Sequence, residues 1–347
     1  MLPALQDVRA FRRSVFRWYR RHGRDLPWRR TREPYPILVS EFMLQQTQVA
    51  TVVPYYYKWL RRFPDFAALA RASESEVLRA WQGLGYYARA RNLHATAKTV
   101  MDRHRGNFPR EIEQMRQLSG IGKYTAHAVA SFAFDQPVPI VEANTARVLA
   151  RLFNLRESID SDPGRRKLWK HAAGLLSHSH PATFNSALLD LGAMICVVRN
   201  PKCAVCPVKT FCRAKDPRAL PVRRSRPKTK QLIEMHALIV RRGRILLEQS
   251  RNRWRGMWIL PPLKLNCLKR SSLRTKPVYE SVFPFTHHRV TLCVYARTAP
   301  KRVGVAQRWF ESIEDAAMPS PHRRAVQALW GAVAAATRFR RPRRNHQ

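Results

Sequence analysis

Acidic residues are scarce in this chain: 23 Asp and Glu stand against 64 Lys and Arg, a formal net charge of +41 over 347 residues. A surface that needs only water does not need so many cations. A polyanion does, because phosphate contacts gain from charge neutralisation and counterion release. Lysine is scarce too, at 14 of the 64 basic residues, so an arginine-rich codon bias explains part of the excess. Charge by itself therefore points to nucleic acid only weakly. No apolar run approaches the length of a membrane span, and no apolar signal-peptide stretch opens the chain. The expectation is a soluble, cytoplasmic, monomeric protein with no membrane partner. Internal repeats are absent. Cysteines number six, four of them clustered, which points to metal rather than a disulfide framework.

What is present is enough apolar residue, 45%, for real cores, and enough length for two domains. Residues 1–25 place Phe11, Phe16, Trp18 and Tyr19 at helical spacing among charges, as in an amphipathic opening helix. Strand-like runs are nearly absent up to residue 216, and prolines punctuate a succession of helical stretches. Residues 1–216 read as one mainly α domain and 217–231, rich in proline and cations, as a linker. From 232 to 337 the pattern changes to α+β. HALIV and RILLEQ flank a hairpin-like RRGR, the runs VYESVFPF and RVTLCVYAR follow, and a helical stretch closes at 321–337. Residues 338–347 form a basic tail.

Three clusters carry chemistry. Leu118 to Arg147 (LSGIGKYTAHAVASFAFDQPVPIVEANTAR) sets Gly120 and Gly122 between two helical runs and delivers one acid, Glu142, before a third. Glycines there allow positive φ and let amides face a phosphate, the pattern of a helix-hairpin-helix followed by a catalytic carboxylate. An ordinary αα-turn with a capping acid fits the same letters. Cys196, Cys203, Cys206 and Cys212 have the spacing C-x6-C-x2-C-x5-C, four thiolates suited to zinc or to a [4Fe–4S] cluster. Cys267 and Cys293 lie outside the pattern. In VSEFMLQQTQV, Val39–Val49, one acid sits among apolar residues and amides. Burial raises a carboxyl pKa, so Glu41 either stays protonated near neutrality and donates to a leaving group, or caps a helix after Ser40.

The hairpin stretch resembles the DNA glycosylases of the endonuclease III superfamily. The runs LPWRR (26–30), SEFMLQQTQV (40–49) and GLGYYARARNLH (83–94) resemble the MutY adenine DNA glycosylases nearly residue for residue. The resemblance is close over about residues 11–216 and looser beyond. It implies a helix-hairpin-helix glycosylase fold with an iron–sulfur loop at 196–212, followed by a MutT-like (Nudix-fold) α+β domain without the glutamate-rich stretch that binds Mg²⁺. It also implies base-excision repair: hydrolytic removal of adenine mispaired with 8-oxoguanine, or with guanine, from double-stranded DNA. In this likeness Glu41 protonates the adenine ring, Glu142 supports the sugar cation, Tyr124 lies near the sugar, and Asn144 is retained. Trp28, Arg29 and Asp190 line the adenine pocket. Gln46, Thr47, Leu84 and Tyr86 wedge into the duplex or read the damaged guanine, and Gly120, Gly122 and Lys123 face the DNA backbone. The four clustered cysteines hold a [4Fe–4S] cluster. FTHHR at 285–289 matches a lesion-reading loop through Thr286 and His287.

Three departures stand out: Glu142 where the family carries Asp, His127 where it carries Gly, and Thr286 for Ser. Two other readings remain. One is an endonuclease III-like glycosylase/lyase on oxidised pyrimidines, which needs a Schiff-base lysine where Tyr124 stands. The other is a lesion-binding protein with impaired catalysis.

Overall fold

The computed structural model describes residues 7–225, 227, 229–263 and 276–338, with side chains up to residue 330. Its chain divides into two compact units, Met1–Ala70 with Ala95–Arg226, and Arg71–His94 with Pro227–Gln347. In chain order the helices before residue 226 are α1 (Val8–His22), α2 (Pro34–Leu44), α3 (Val49–Arg62), α4 (Phe66–Arg71), α5 (Glu74–Ala80), α6 (Ala88–His104), α7 (Ile112–Arg116), α8 (Lys123–Phe134), α9 (Ala143–Leu152), α10 (Asp162–Leu175) and α11 (Pro181–Asp190). None of the described residues up to 225 is in a strand. No helix among them is long and apolar enough to cross a membrane.

Two helices of the first unit show opposite sequence logic. Along α1 the buried residues Phe11, Val15 and Trp18 form one stripe. The Asp7 side chain caps its start by accepting from the Ala10 amide at 2.7 Å, and Arg20, Arg21 and His22 sit at its negative end. In α2, PYPILVSEFML has no polar face, and a helix apolar all round belongs in a core. Tyr35 and every residue from Ile37 to Met43 are buried. Glu41 is therefore carried into the interior in the middle of a helix, which removes the reading of it as a cap. One core joins α1, α9, α10 and α11 through Phe11, Leu149, Leu168, Phe184 and Leu188.

The hairpin between α7 and α8 is built as its letters suggest, with one correction. Gly120 takes φ +76, which a residue with a Cβ adopts only with strain. Gly122 does not share this need: it is the extended N-cap of α8 at φ −86, and open space lies where a Cβ would point. At its other end α8 closes on Asp135 in the left-handed region, before the prolines at 137 and 139. Helix α11 passes without a break into a π-turn at Leu191–Ile195. There a Cβ on Gly192 would lie 2.7 Å from Asn144 Cβ, so the missing side chain lets the turn touch the start of α9. Within 217–231, the span expected as linker, Leu220 is buried, its carbonyl accepts from Arg151 Nε at 3.0 Å, and Val222 O accepts from the Ile159 amide at 3.0 Å.

The second unit has α5, opened by a Ser73–Glu76 capping box, and two small sheets. Strands β1 (Lys230–Leu238), β2 (Val240–Arg241), β3 (Arg244–Gln249), β4 (Trp258–Ile259), β5 (Tyr279–Phe285), β6 (His288–Ala296) and β7 (Gln307–Phe310) precede α12 (Ser320–Arg338). One sheet runs β1-β6-β5 with β1 and β6 parallel; the other runs β2-β3-β4 with β7 paired to β3. The strand-like runs read in the sequence all appear. β1 starts earlier than HALIV because its whole length pairs with β6, from Lys230 opposite His288 onward. Cys267 and residues 339–347 of the expected tail lie outside the described residues.

Candidate active site

In the first unit a cavity of about 380 Å³ opens among Trp28 and Arg29 of the short 3-10 turn Pro27–Arg29, helix α2, the start of α8, the start of α9 and helix α11. Its lining includes Trp28, Arg29, Glu41, Tyr124, Glu142 and Asn144. Glu41 enters from α2, where only 5% of its surface is exposed. Burial raises its carboxyl to about 7, and the negative Glu142 adds to the rise. A hydrogen bond from the Tyr124 hydroxyl and the charge of Arg29 pull the other way. Among the described residues, Glu41 Oε2 has no hydrogen-bond partner. A carboxyl that half-titrates near neutrality, with one oxygen unused, can hold a proton and release it into the cavity. Tyr124 is held well above its usual pKa, by burial first and by the two acids next, so it stays a neutral hydroxyl.

Glu142 sits in a different environment. It is the N-cap of α9: its Oε1 accepts from the Asn144 amide at 2.7 Å and the Thr145 amide at 2.9 Å, while Thr145 Oγ1 accepts from the Glu142 amide at 2.8 Å. One side chain thus both caps the helix and lines the cavity. Burial raises its pKa, against the pull of the two amides and of Arg147. The helix N-terminus favours its anion while burial opposes it, so the two acids on this cavity sit in unlike surroundings.

Behind the cavity wall lies Asp190, fully buried. Arg29 grips it with two nitrogens, Nη1 at 2.8 Å and Nη2 at 2.9 Å, and Arg24 adds its amide at 2.8 Å and its Nε at 2.7 Å. Every oxygen of Asp190 is occupied, and the guanidinium pairing is of the two-pronged, charge-assisted kind. Trp28 meets Tyr56 edge-on at 5.4 Å.

The cysteine loop is tied to the same helix that Glu142 caps. Arg147 donates to Cys196 O and to Gly192 O, both at 2.7 Å, and to Asn144 Oδ1 at 2.9 Å. One turn on, Arg151 donates to Val197 O at 2.7 Å, to Val198 O at 2.9 Å and to Cys196 Sγ at 3.3 Å. Burial pushes the Cys206 thiol up to about 11, and the nearby Cys196, Cys212 and Cys203 add to the rise. Among the described residues no three His, Cys, Asp or Glu side chains form a preformed single-ion site. Four thiols within one loop and no carboxylate among them are a donor set suited to soft metals, as zinc or as an iron–sulfur cluster.

Residues 39–173 match the HhH-GPD superfamily base excision DNA repair protein family. The adenine DNA glycosylase of Mycolicibacterium smegmatis is 43% identical over 201 residues, covering 58% of this chain and 68% of that protein. The chain belongs to the adenine DNA glycosylase family. A family member from Rattus norvegicus is 43% identical over 219 residues, 60% of this chain and 42% of its own length. The chain spans about two-fifths of the length of the mammalian relatives it matches. A thermostable thymine-DNA glycosylase of known structure superposes with a TM-score of 0.55 at 30% identity, over 59% of this chain and 95% of that one.

Against the positions that the family likeness assigned, the cavity gathers Trp28, Arg29, Glu41, Thr47, Tyr124, Glu142 and Asn144. Asp190 supports the arginines from behind instead of lining the space. Gln46 is exposed in the left-handed region at φ +58. Lys123 is drawn onto Trp169, its Nζ 4.0 Å from the ring centroid. Leu84 and Tyr86 belong to the second unit: Leu84 is buried, and its carbonyl accepts from Arg89 at 3.0 Å, whereas Tyr86 is 52% exposed. Thr286 and His287 form the two-residue turn between β5 and β6, both exposed, Thr286 at φ +52. Sequence reasoning missed Arg24, Arg147, Arg151 and Gly192. The spacing of Arg147 and Arg151, four residues apart on one helix, was the available sign.

Proposed function

We propose that this chain is a DNA glycosylase that removes adenine opposite 8-oxoguanine, and from A·G mispairs, by hydrolysing the N-glycosidic bond. The observation that carries the reading is the pair of unlike carboxyls on one cavity, Glu41 near pKa 7 with a free oxygen and Glu142 at a helix N-terminus. An extruded adenine enters the cavity beside Trp28 and Arg29. Glu41 passes its proton to a ring nitrogen, and the electron pair of the glycosidic bond leaves with the base. Positive charge develops at the sugar, where Glu142 stabilises it as a carboxylate and orients the incoming water; Tyr124 donates to Glu41.

Cys196, Cys203, Cys206 and Cys212 would hold a [4Fe–4S] cluster. When bound, it cross-links their loop and holds Arg199, Lys202 and Lys209 for phosphate contact. Residues 1–216 form the glycosylase domain, 217–231 the connection, and 232–337 a MutT-like domain in which Thr286 and His287 read the lesion, with 338–347 as a basic tail. Gln46, Thr47, Leu84 and Tyr86 act at the mispair, and Gly120, Gly122 and Lys123 at the backbone. The protein works as a monomer on chromosomal DNA in the cytoplasm. A lyase reading is disfavoured by Lys123, whose ammonium is engaged with Trp169.

The test is a single-turnover assay on a duplex with adenine opposite 8-oxoguanine, with undamaged A·T as control and alkali to reveal abasic sites. Product on the adenine strand only, lost in Glu41→Gln, supports the proposal. Tight binding without abasic sites moves the reading to a lesion-binding protein, and a borohydride-trapped adduct through Lys123 moves it to a lyase.

A further inference from the structure

The stretch between α8 and Glu142 includes Pro137 and Pro139, two residues with no N–H to give. Its start is fixed by the Gln136 amide on Ala130 O at 3.0 Å, and its end by the cap of α9. Between them, side chains from other places hold the carbonyls. Asn185, buried on α11, donates from Nδ2 to Val138 O at 3.0 Å and to Ser131 Oγ at 2.9 Å. The next carbonyl, of Pro139, lies 2.9 Å from His127 Nδ1. A carbonyl can only accept, so Nδ1 carries the proton. The His127 ring is itself fixed, meeting Trp169 at 4.9 Å and 70°.

We propose that His127 is a positioning residue for Glu142: with Asn185 it suspends the proline segment at two successive carbonyls and so sets where the carboxyl enters the cavity. The proposal rests on the reading of Glu142 as the group that supports the sugar cation. Only Ile140 and Val141 separate Pro139 from Glu142, so slack at the carbonyl passes to the acid, and an ångström there costs about a hundredfold in rate. The hydrogen bond also explains why a large polar ring occupies position 127 on a helix whose neighbours Ala126, Ala128 and Ala130 are small and buried.

The experiment uses the full chain and two variants. His127→Phe keeps an aromatic face for Trp169 and deletes the donor; His127→Asn places an amide nitrogen at the Nδ1 position. The first readout is hydrogen exchange at the Asn144 and Thr145 amides, which donate to Glu142. The second is the single-turnover rate, with duplex affinity measured beside it. In His127→Phe the two amides exchange about tenfold faster and the rate falls about tenfold, with affinity unchanged. His127→Asn recovers most of both. Unchanged exchange in the Phe variant, an Asn variant no better than Phe, or a loss confined to affinity each overturns the proposal. If the unaltered chain releases no adenine, the functional reading fails, whereas the exchange comparison still decides whether His127 holds the acid.

Discussion

Glu41 and Glu142 are the same amino acid on one cavity, and their surroundings make different reagents of them. Glu41 arrives on a helix with no polar face, beside one hydroxyl, and keeps its proton to about pH 7. Glu142 arrives at a helix N-terminus, where two backbone amides lie on its Oε1. Residue identity sets what a carboxyl can do, and the element that carries it selects which of those things it does.

The strongest way to break the contrast is Glu41→Gln, which removes the proton donor while keeping the shape. Turnover should fall about a thousandfold in the single-turnover assay. Stability should move the other way. The folded protein holds the Glu41 proton more tightly than the unfolded chain does, so this group's contribution is most favourable below its ordinary pKa of 4.5 and declines as pH rises to about 7. The amide escapes that penalty, and chemical denaturation at pH 8 should show the variant more stable by up to about 3 kcal/mol. For the unaltered protein the same titration should make the single-turnover rate fall as pH rises through about 7.

Glu142→Gln should cost about a hundredfold in rate, since the sugar cation loses its counter-charge. Its amide oxygen can still accept from Asn144 and Thr145, so the melting temperature should scarcely move; a large drop would mean the acid serves the helix more than the reaction. Glu142→Asp sharpens the point. Asp is a strong N-cap and α9 should persist, but the carboxyl withdraws by one methylene and the rate should fall by up to about a hundredfold. A gain instead would mean that the longer side chain is a defect rather than the length this cavity is built around. The smallest effect belongs to Tyr124→Phe. Its hydroxyl lowers the Glu41 pKa, so deletion should shift the basic limb of the pH–rate profile upward and leave the plateau within about fivefold.

What could be read from the letters was whatever depends on neighbours in the chain. The apolar surroundings of Glu41, the glycine turn, the cysteine spacing and the change to strands after residue 231 are all local patterns. The resemblance added roles to those residues. Asp190 was read as a wall of the cavity, and its service to Arg24 and Arg29 escaped because the partners lie far away in sequence. The same holds for His127 on Pro139, where a helix and an extended segment meet only after folding. Gly122 shows the limit even of local reading. Two glycines one residue apart look alike, yet only Gly120 uses its freedom of φ. The parallel pairing of β1 with β6 was hidden for the same reason as Asp190, since register between distant strands is decided by the sheet.

The π-turn at Leu191–Ile195 gives the chain a rotational phase. A helix advances about 100° per residue, so one residue added or removed there swings everything beyond it by that angle. Cys196 follows immediately, and its carbonyl must meet Arg147 and Arg151 on α9. The cysteine loop is therefore clocked from the cavity wall: its orientation is counted, residue by residue, from Asp190.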